Sequence, residues 1–262
     1  MKLYNKNYFT AGNINNKQIL YGFFSKKGGC SSGNYYSLNC GLNTDDSKEL
    51  VEQNIQIAKK NLGLKNQIIK FLNQTHSGRV EIIDKKNLNL TINADGSITK
   101  DKAIALSILT ADCAPIFIFD RDNTFICSLH AGWKGCLNNI IQNALKKINQ
   151  LNIESHKLIA IVGPCLGKKN FEIDENIKDI FINQNFQYEK FFLKNPEKNK
   201  NYFDMRGLIN FQLQSHSVNK IFNVTFDTYF NKDLFFSHRK STHNDSLPTG
   251  RMINIISFQD AH

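Results

Sequence analysis

Three short stretches of the sequence carry residue types that bind soft metal ions. They contain His76 in 73–77, Cys113 in 109–115 and His130 in 128–135. Two imidazoles and one thiolate form the ligand set of an open catalytic zinc site, whose fourth tetrahedral position stays free for water or substrate. The intervals between these ligands, 37 and 17 positions, are too long for a zinc finger. We therefore expect the three side chains to come from the ends of separate strands and to converge on one metal ion.

Residues beside these ligands add further chemistry. Asp112 directly precedes Cys113, where its carboxylate would orient a ligand or carry a proton. Pro115 favours an extended or turn conformation just before it, so one strand ends and another begins around the cysteine. His130 closes an apolar strand ahead of a helix, a position where α/β proteins place binding sites. Trp133, the single tryptophan, would form a flat wall for a planar ligand, with core packing as its alternative role.

The elements that must position these residues follow from the apolar pattern. Runs rich in Ile, Phe, Val and Leu predict strands at 17–25, 67–72, 79–84, 103–109, 115–120, 124–130, 157–162, 220–226, 233–238 and 251–258. Helices are predicted at 47–62, 135–148, 174–184 and 205–217, and the most loop-like segment is 185–201. No internal repeat or linker interrupts this order. We expect a single domain over residues 1–262, an α/β (α+β) fold of mixed β-sheets covered by helices in layers.

The first predicted helix has signals at both ends. Asp45, Asp46 or Ser47 can cap its N-terminus, and Gly63 stops it. Its apolar face is expected to comprise Leu50, Val51, Ile55, Ala58 and Leu62.

Composition excludes several other classes of protein. The chain of 262 residues is 41% hydrophobic and 21% charged, which is ordinary for a globular protein. No apolar run approaches the roughly 18 residues of a membrane span, and the N-terminus has no signal-peptide h-region. The six cysteines are therefore expected to be thiols in a reducing cytoplasm rather than a disulfide framework.

The net charge of +10 raises the question of nucleic-acid binding, which we do not favour. Lysine and arginine total 33, but only five are arginine, and apart from 190–200 the lysines are scattered among asparagines rather than stacked on one predicted face. Nucleic-acid modules usually present a clustered basic surface with aromatic stacking positions. An anionic small molecule fits this charge distribution better.

Taken together, these motifs resemble the family of multicopper polyphenol oxidoreductases, or laccase-domain proteins. The resemblance extends from about residue 20 to 258 and is carried by FSKKGG at 24–29, SLN at 37–39, QTH at 74–76, TADC at 110–113, HAGW at 130–133, GP at 163–164 and TGRM at 249–252. It implies that His76, Cys113 and His130 bind a metal ion. It also implies phosphorolysis of the purine nucleosides adenosine, inosine and methylthioadenosine, with some deamination of adenosine.

Two positions depart from the pattern that the resemblance implies. Lys134 stands where the family usually has arginine, and His238 stands where it usually has tyrosine. Lysine keeps the charge but loses the planar fork that binds phosphate through two hydrogen bonds. Arg79, Arg239 and Arg251 lie in the matching motifs of a chain that otherwise uses lysine, which indicates roles that need a guanidinium. We expect phosphate to contact Lys134 or one of the two C-terminal arginines.

The residues leave three other readings open. A copper-dependent phenol oxidase would use the same ligands, but it needs a weak axial partner such as Met1, Met205 or Met252. A metal-free cysteine hydrolase would use Cys113 as nucleophile and His130 or His76 as base. A scaffold or nucleic-acid-binding protein would retain the site only as a vestige. The other histidines form neither a His-x-His pair nor an H-E-x-x-H motif: His156, His216, His238, His243 and His262.

Overall fold

Two six-stranded β-sheets lie face to face at the centre of the computed structural model, which describes residues 2–3, 7–12, 14, 16–196 and 198–259. With strands numbered along the chain, the first sheet contains β1 (Lys2–Leu3), β2 (Tyr8–Thr10), β3 (Ile19–Phe24), β15 (Met252–Phe258), β7 (Ile104–Thr110) and β4 (Ile68–Lys70). The second contains β14 (Lys220–Asn223), β10 (Leu158–Val162), β8 (Ala114–Asp120), β9 (Ile126–Ala131), β6 (Gly96–Thr99) and β5 (Val80–Ile82). A third sheet contains β11 (Glu172–Asp174), β13 (Lys200–Phe203) and β12 (Phe192–Lys194).

Both large sheets mix parallel and antiparallel pairs. In the first sheet β4 runs parallel to β7, whereas β15 runs antiparallel to both of its neighbours. In the second sheet β5 is parallel to β6 and β10 to β14, whereas β8 is antiparallel to β9 and β10. The predicted class of mixed sheets covered by helices is confirmed.

Alternating side chains of the central strands serve different cores, because successive residues of a strand point to opposite faces. On β8, Phe117 and Phe119 lie in the core between the two sheets, whereas Ile116 and Ile118 face the helices on the other side. On β15, Ile256 lies in the core between the sheets, whereas Ile253 and Ile255 face the opposite side. The strands therefore read as continuous apolar runs because both faces of each sheet are buried.

Helices cover the outer faces of both sheets. The first sheet is covered by α1 (Lys48–Leu62). The second sheet is covered mainly by α2 (Trp133–Leu137), α3 (Ile140–Gln150) and α5 (Met205–Ser215). Near the third sheet lies α4 (Glu175–Gln184), and a short helix, α6 (His238–His243), precedes β15. Within the described ranges, none of the helices is long and apolar enough to cross a membrane.

Helix α1 begins and ends as its sequence signals predict. The Ser47 hydroxyl accepts a hydrogen bond from the Leu50 N–H, and Gly63 adopts the left-handed conformation with φ 87° at the C-cap. The buried face matches the prediction except at two positions. Leu50 is only half-buried, and Asn54 is buried instead. The Asn54 amide joins α1 to the loop before it, donating to the Ser31 hydroxyl and to a backbone carbonyl.

Three predicted segments are wrong. The predicted strand 233–238 is a turn that leads into α6; its phenylalanines are buried in the core between the sheets without joining a strand. The predicted loop 185–201 contains a 3₁₀ helix, Phe186–Phe191, the strand β12 and the start of β13. The predicted helix 135–148 is two helices, α2 and α3, because Asn139 between them has a left-handed backbone with φ 57°.

Several connections of the chain cross from one large sheet to the other, and two of them carry predicted ligands. The chain passes from β4 in the first sheet to β5 in the second, and again from β7 in the first to β8 in the second. Because β4 and β7 are parallel neighbours, their C-terminal ends lie side by side, and both crossings start from that end of the first sheet. These two crossings contain His76 and Cys113, so the fold delivers both predicted ligands to one end of the sheet pair.

The core between the sheets should dominate stability. Phe117 is fully buried and its ring stacks on Phe23 of the facing sheet, with 4.7 Å between ring centroids. We expect Phe117→Ala to lower the free energy of unfolding by about 3–5 kcal/mol, because truncating a buried phenylalanine leaves a cavity. Urea denaturation followed by circular dichroism measures this change. Ile68→Ala, at a side chain that is 52% exposed, is the control and should cost far less.

Candidate active site

His76, Cys113 and His130 converge at the end of the sheet pair, as the sequence predicts. Their potential ligand atoms all lie within 4.8 Å of one another, and the two imidazole rings lie edge to face with centroids 4.8 Å apart. His130 is paired with Pro115 in the β8–β9 ladder, which brings the imidazole beside the cysteine just before β8. His130 is buried, Cys113 is half-buried and His76 is exposed. The site therefore has one solvent-facing side.

The electrostatic interactions among the three side chains favour the thiolate form of Cys113, which is the form that binds a metal ion. Burial alone would raise the pKa of the Cys113 thiol, but His130 and His76 outweigh it and lower that pKa, which favours the thiolate. Burial opposes the charged form of His130, but the Cys113 thiolate and Asp95 raise its pKa. A thiolate and two imidazoles are ligands that Zn²⁺ prefers, and the observed separations place them within reach of one ion. The donor set therefore fits a metal.

Asp95, which the sequence analysis missed, lies behind the ligands. Its side chain is fully buried at the start of β6, and one carboxylate oxygen lies 2.8 Å from Nδ1 of His130. The same carboxylate accepts hydrogen bonds from the backbone N–H groups of Thr75, His76 and Ser77. An Ala-Asp-Gly sequence between predicted strands gives no signal of such a role, because the contacts join distant parts of the chain.

Asp112, the predicted proton carrier, lines the cavity, and its carboxylate is held by neighbouring groups. It accepts hydrogen bonds from the Thr228 hydroxyl and the Arg239 N–H, both at 2.6 Å. Burial raises the pKa of this carboxyl group, although the hydrogen bonds oppose the shift. Asp112 and His76 both have positive φ, 86° and 57°. Strained backbone of this kind is concentrated at functional sites.

A cavity of about 480 Å³ opens above the three ligands, a size typical of small-molecule sites. The loop 41–44 forms part of its wall. Aromatic, aliphatic, acidic and cationic side chains form the rest: Leu72, Asp112, Trp133, Phe171, Met205, His238, Arg239 and Arg251. Trp133 lines the cavity, and its role as a flat wall for a planar ligand stays a prediction. Sequence reasoning did not find Phe171 or the 41–44 loop, because neither carries a recognisable chemical motif.

The cationic residues that were predicted to bind phosphate have different surroundings. Arg251 lines the cavity and donates to the backbone carbonyls of Thr249 and Gly250; among the described residues, no carboxylate forms a salt bridge with it. Arg239 also lines the cavity, but both terminal nitrogens donate to the Glu172 carbonyl. Lys134 is exposed, with Nζ 5.5 Å from the centroid of the Trp133 ring, and is not part of the cavity lining.

Two further positions singled out in the sequence also have clear locations. Arg79 lies outside the cavity on the surface, where it pairs with Glu81 at 2.7 Å. His238, the departure from the family pattern, lines the cavity, and burial together with Arg251 lowers its pKa, which favours the neutral imidazole.

The methionines bear on the choice of metal. Met205 lines the cavity, whereas the sulfur of Met252 accepts a hydrogen bond from the Phe236 N–H at 3.0 Å. Met1 lies outside the described residues, as does His262. Only Met205 is therefore placed in the same cavity as the ligand set.

An open three-ligand site beneath an aromatic-walled cavity is the arrangement of a metal-dependent enzyme. Comparison with known proteins agrees: the model of the family described as multi-copper polyphenol oxidoreductase laccase matches residues 20–259, and the chain belongs to that family. A relative from Rickettsia conorii, named as a purine nucleoside phosphorylase, is 32% identical over 87% of this chain and 91% of its own length. A relative of the same name from Pseudomonas aeruginosa is 26% identical over 90% and 92% of the two chains.

Solved structures give the same fold. A Neisseria meningitidis protein superposes with a TM-score of 0.87 at 28% identity, covering 97% of this chain and 100% of the other. YlmD from Geobacillus stearothermophilus superposes with a TM-score of 0.88 over 99% and 98% of the two chains, at 20% identity. The layered arrangement of mixed sheets is therefore that of the family.

Gly132, which follows His130 by two residues, must remain without a side chain. A β-carbon at this position would lie 2.8 Å from the Cys113 sulfur, although the backbone φ of −86° is ordinary. We expect Gly132→Ala to displace the sulfur and to weaken metal binding about 10-fold or more, the scale of disturbances next to a ligand.

Competition with a chromogenic chelator measures this affinity. Gly135→Ala is the matched control, because its β-carbon would come no closer than 3.3 Å to the nearest atom, the His130 carbonyl oxygen. Equal metal affinity in the two variants would contradict the steric argument.

Proposed function

We propose that this protein is a zinc-dependent purine nucleoside phosphorylase that cleaves adenosine, inosine and methylthioadenosine with phosphate. The products would be the free base and ribose 1-phosphate, or methylthioribose 1-phosphate from methylthioadenosine. The observation that carries the proposal is the convergence of His76, Cys113 and His130 beneath a cavity with aromatic walls and an arginine that pairs with no carboxylate among the described residues. Relatives named as purine nucleoside phosphorylases at 26–32% identity support it.

The side chains around the cavity suit the parts of such a substrate. Trp133 and Phe171 offer flat apolar surfaces against which a purine can stack. Arg251 offers a guanidinium that no described carboxylate neutralises, which suits a phosphate dianion. Arg239 lies beside it, although the Glu172 carbonyl already occupies its terminal nitrogens. We also propose Lys134, which is exposed beside Trp133, as a secondary cationic contact.

In the proposed reaction, a phosphate oxygen bonds to the anomeric carbon while the carbon–nitrogen bond to the purine breaks. The electron pair of that bond passes to the base, which then takes up a proton. Asp112 is proposed as the proton carrier, because it lines the cavity directly before Cys113. A zinc ion held by His76, Cys113 and His130 would supply Lewis-acid chemistry at its open position. Copper is the alternative metal, with Met205 as the candidate weak ligand.

A secondary adenosine deaminase activity is proposed at the same site. Water would add to the purine carbon that carries the amino group, and ammonia would leave, giving inosine. The open side of a three-ligand site is suited to this reaction, because it leaves room for water as well as phosphate. We further propose a reducing compartment such as the cytoplasm, which suits a free thiolate ligand and five other free cysteines.

A metal-free cysteine hydrolase is the second candidate, and one observation favours it. Both histidines lower the pKa of Cys113, as they would for a nucleophilic cysteine beside a histidine base. The two candidates use the same residues and differ in their need for a metal ion.

Metal dependence separates these candidates. We expect exhaustive chelation to abolish base release from inosine, and stoichiometric zinc to restore it. Cys113→Ser should lose both metal and activity, because a hydroxyl is a poor soft ligand. Elemental analysis and a base-release assay measure the two effects. Full activity after the metal has been removed would favour the cysteine hydrolase.

Phosphate dependence tests the reaction type. We expect Arg251→Ala to raise the KM for phosphate about 10-fold or more, because a charge-assisted hydrogen bond contributes about 1.5–3 kcal/mol. Bound metal should be unchanged. Arg79→Ala is the matched control, since Arg79 forms an exposed ion pair outside the cavity.

The assay follows base release from adenosine, inosine and methylthioadenosine with and without phosphate. Release that is equally fast without phosphate would show that water is the acceptor and would remove the phosphorylase assignment.

A further inference from the structure

The carboxylate of Asp95 has an unusual number of donors for a side chain with no exposed surface. One oxygen accepts from the N–H and hydroxyl of Thr75 at 3.1 and 3.3 Å, and from the N–H and hydroxyl of Ser77 at 2.6 and 2.7 Å. The other oxygen accepts from the His76 N–H at 3.0 Å and lies 2.8 Å from Nδ1 of His130. A buried charge is tolerated when its hydrogen bonds are complete, and these contacts complete them.

We propose that Asp95 is the positioning residue of the metal site. Its carboxylate would hold both histidine ligands in their binding geometry through the His76 backbone and the His130 ring. The inference rests on the metal site proposed above. Asp95 is not among the residues that line the cavity, so its effect must pass through the two histidines.

The first of these effects fixes the tautomer of His130. Because Asp95 is an acceptor, the nitrogen facing it, Nδ1, must carry the proton. Nε2 is then left with its lone pair available for a metal ion. Ligating histidines usually donate their second N–H to such a partner, which also raises the basicity of the ligating nitrogen. The backbone reinforces this arrangement, since the His130 N–H donates to the Asp95 carbonyl at 2.7 Å.

The second effect holds the loop that carries His76. This ligand is exposed and lies in a connection, with a left-handed backbone that costs energy in a residue other than glycine. Three consecutive N–H groups, from Thr75 to Ser77, point at the Asp95 carboxylate. Without these bonds the loop would lose its anchor, and His76 would relax away from the other two ligands. One carboxylate thus couples the crossing loop to β9.

Asp120 provides a natural comparison within the same sheet. It is also a buried aspartate, 2% exposed, and its carboxylate organises the turn between β8 and β9 by accepting from the N–H and hydroxyl of Thr124. It lies at the opposite end of β8 from Cys113. Asp120 therefore shares the structural role of Asp95 but not its contact with the ligands.

The test compares Asp95→Asn with Asp120→Asn in the full chain. Both should lose stability in urea denaturation. We expect only Asp95→Asn to bind zinc about 10–100-fold more weakly in competition with a chelator, the scale reported for partners of metal ligands. Its Co²⁺ complex should also show a shifted or weakened visible absorption spectrum, whereas Asp120→Asn should match the wild type in both measurements. Equal zinc affinity in the wild type and Asp95→Asn would overturn the inference.

Two measurements keep the inference testable if Asp95→Asn fails to fold. Ser77→Ala removes one hydroxyl donor to the carboxylate and should weaken zinc binding by a smaller factor, about 2–5-fold. In the zinc-loaded wild type, nitrogen-15 NMR should find His130 protonated at Nδ1 and bound through Nε2; binding through Nδ1 would overturn the inference. A wild type that binds no zinc at all would instead remove the metal site, a failure distinct from these.

Discussion

The candidate site depends on one constraint, the close packing of two sheets between which the chain must cross. Face-packed sheets lie about 10 Å apart, so a short connection from one to the other has little freedom. The three residues between β7 and β8 make such a crossing and include Asp112 and Cys113. The connection from β4 to β5 is another such crossing and includes His76. Because β4 and β7 are parallel neighbours, the ligands meet at one edge. The phenylalanines between the sheets therefore help to set the geometry of the ligands.

The sequence correctly predicted those segments whose local residue pattern favours the same structure that tertiary packing imposes. The three candidate ligands stand out because polar motifs interrupt apolar strands, and nine of the ten predicted strands exist within a few residues. The strand β6 was missed because Gly96 and Ser97 have low strand propensity; its position next to β9 is set by packing instead. The predicted strand 233–238 was wrong because an apolar run indicates burial but does not specify a strand. Its phenylalanines are buried in a turn instead.

Site residues were predictable only where their role could be recognised from residue type. A cysteine beside an aspartate, or a histidine at the end of a strand, has chemistry that is visible in sequence. Asp95 has none, because its partners come from a distant loop and a distant strand. The arginines illustrate the same limit: all three motif arginines looked alike in sequence. In the fold, Arg79 forms a surface ion pair, Arg239 binds a carbonyl, and Arg251 faces the cavity without a described carboxylate partner.

The charge distribution around the ligands explains how such a site can be organised before a metal ion arrives. Each member of the Cys113–His130 pair favours the charged form of the other: His130 lowers the pKa of Cys113, and Cys113 raises the pKa of His130. In the proposed site, a metal ion would displace a proton from this pair. Burial would raise the pKa of Asp95, but hydrogen bonds from His130 and Ser77 hold that pKa far below its usual value. Its carboxylate is therefore charged while these donors face it. If Asp95 holds the two histidines as we propose, metal binding would remove a proton from the Cys113–His130 pair and leave the hydrogen bonds from the His76 loop to Asp95 in place.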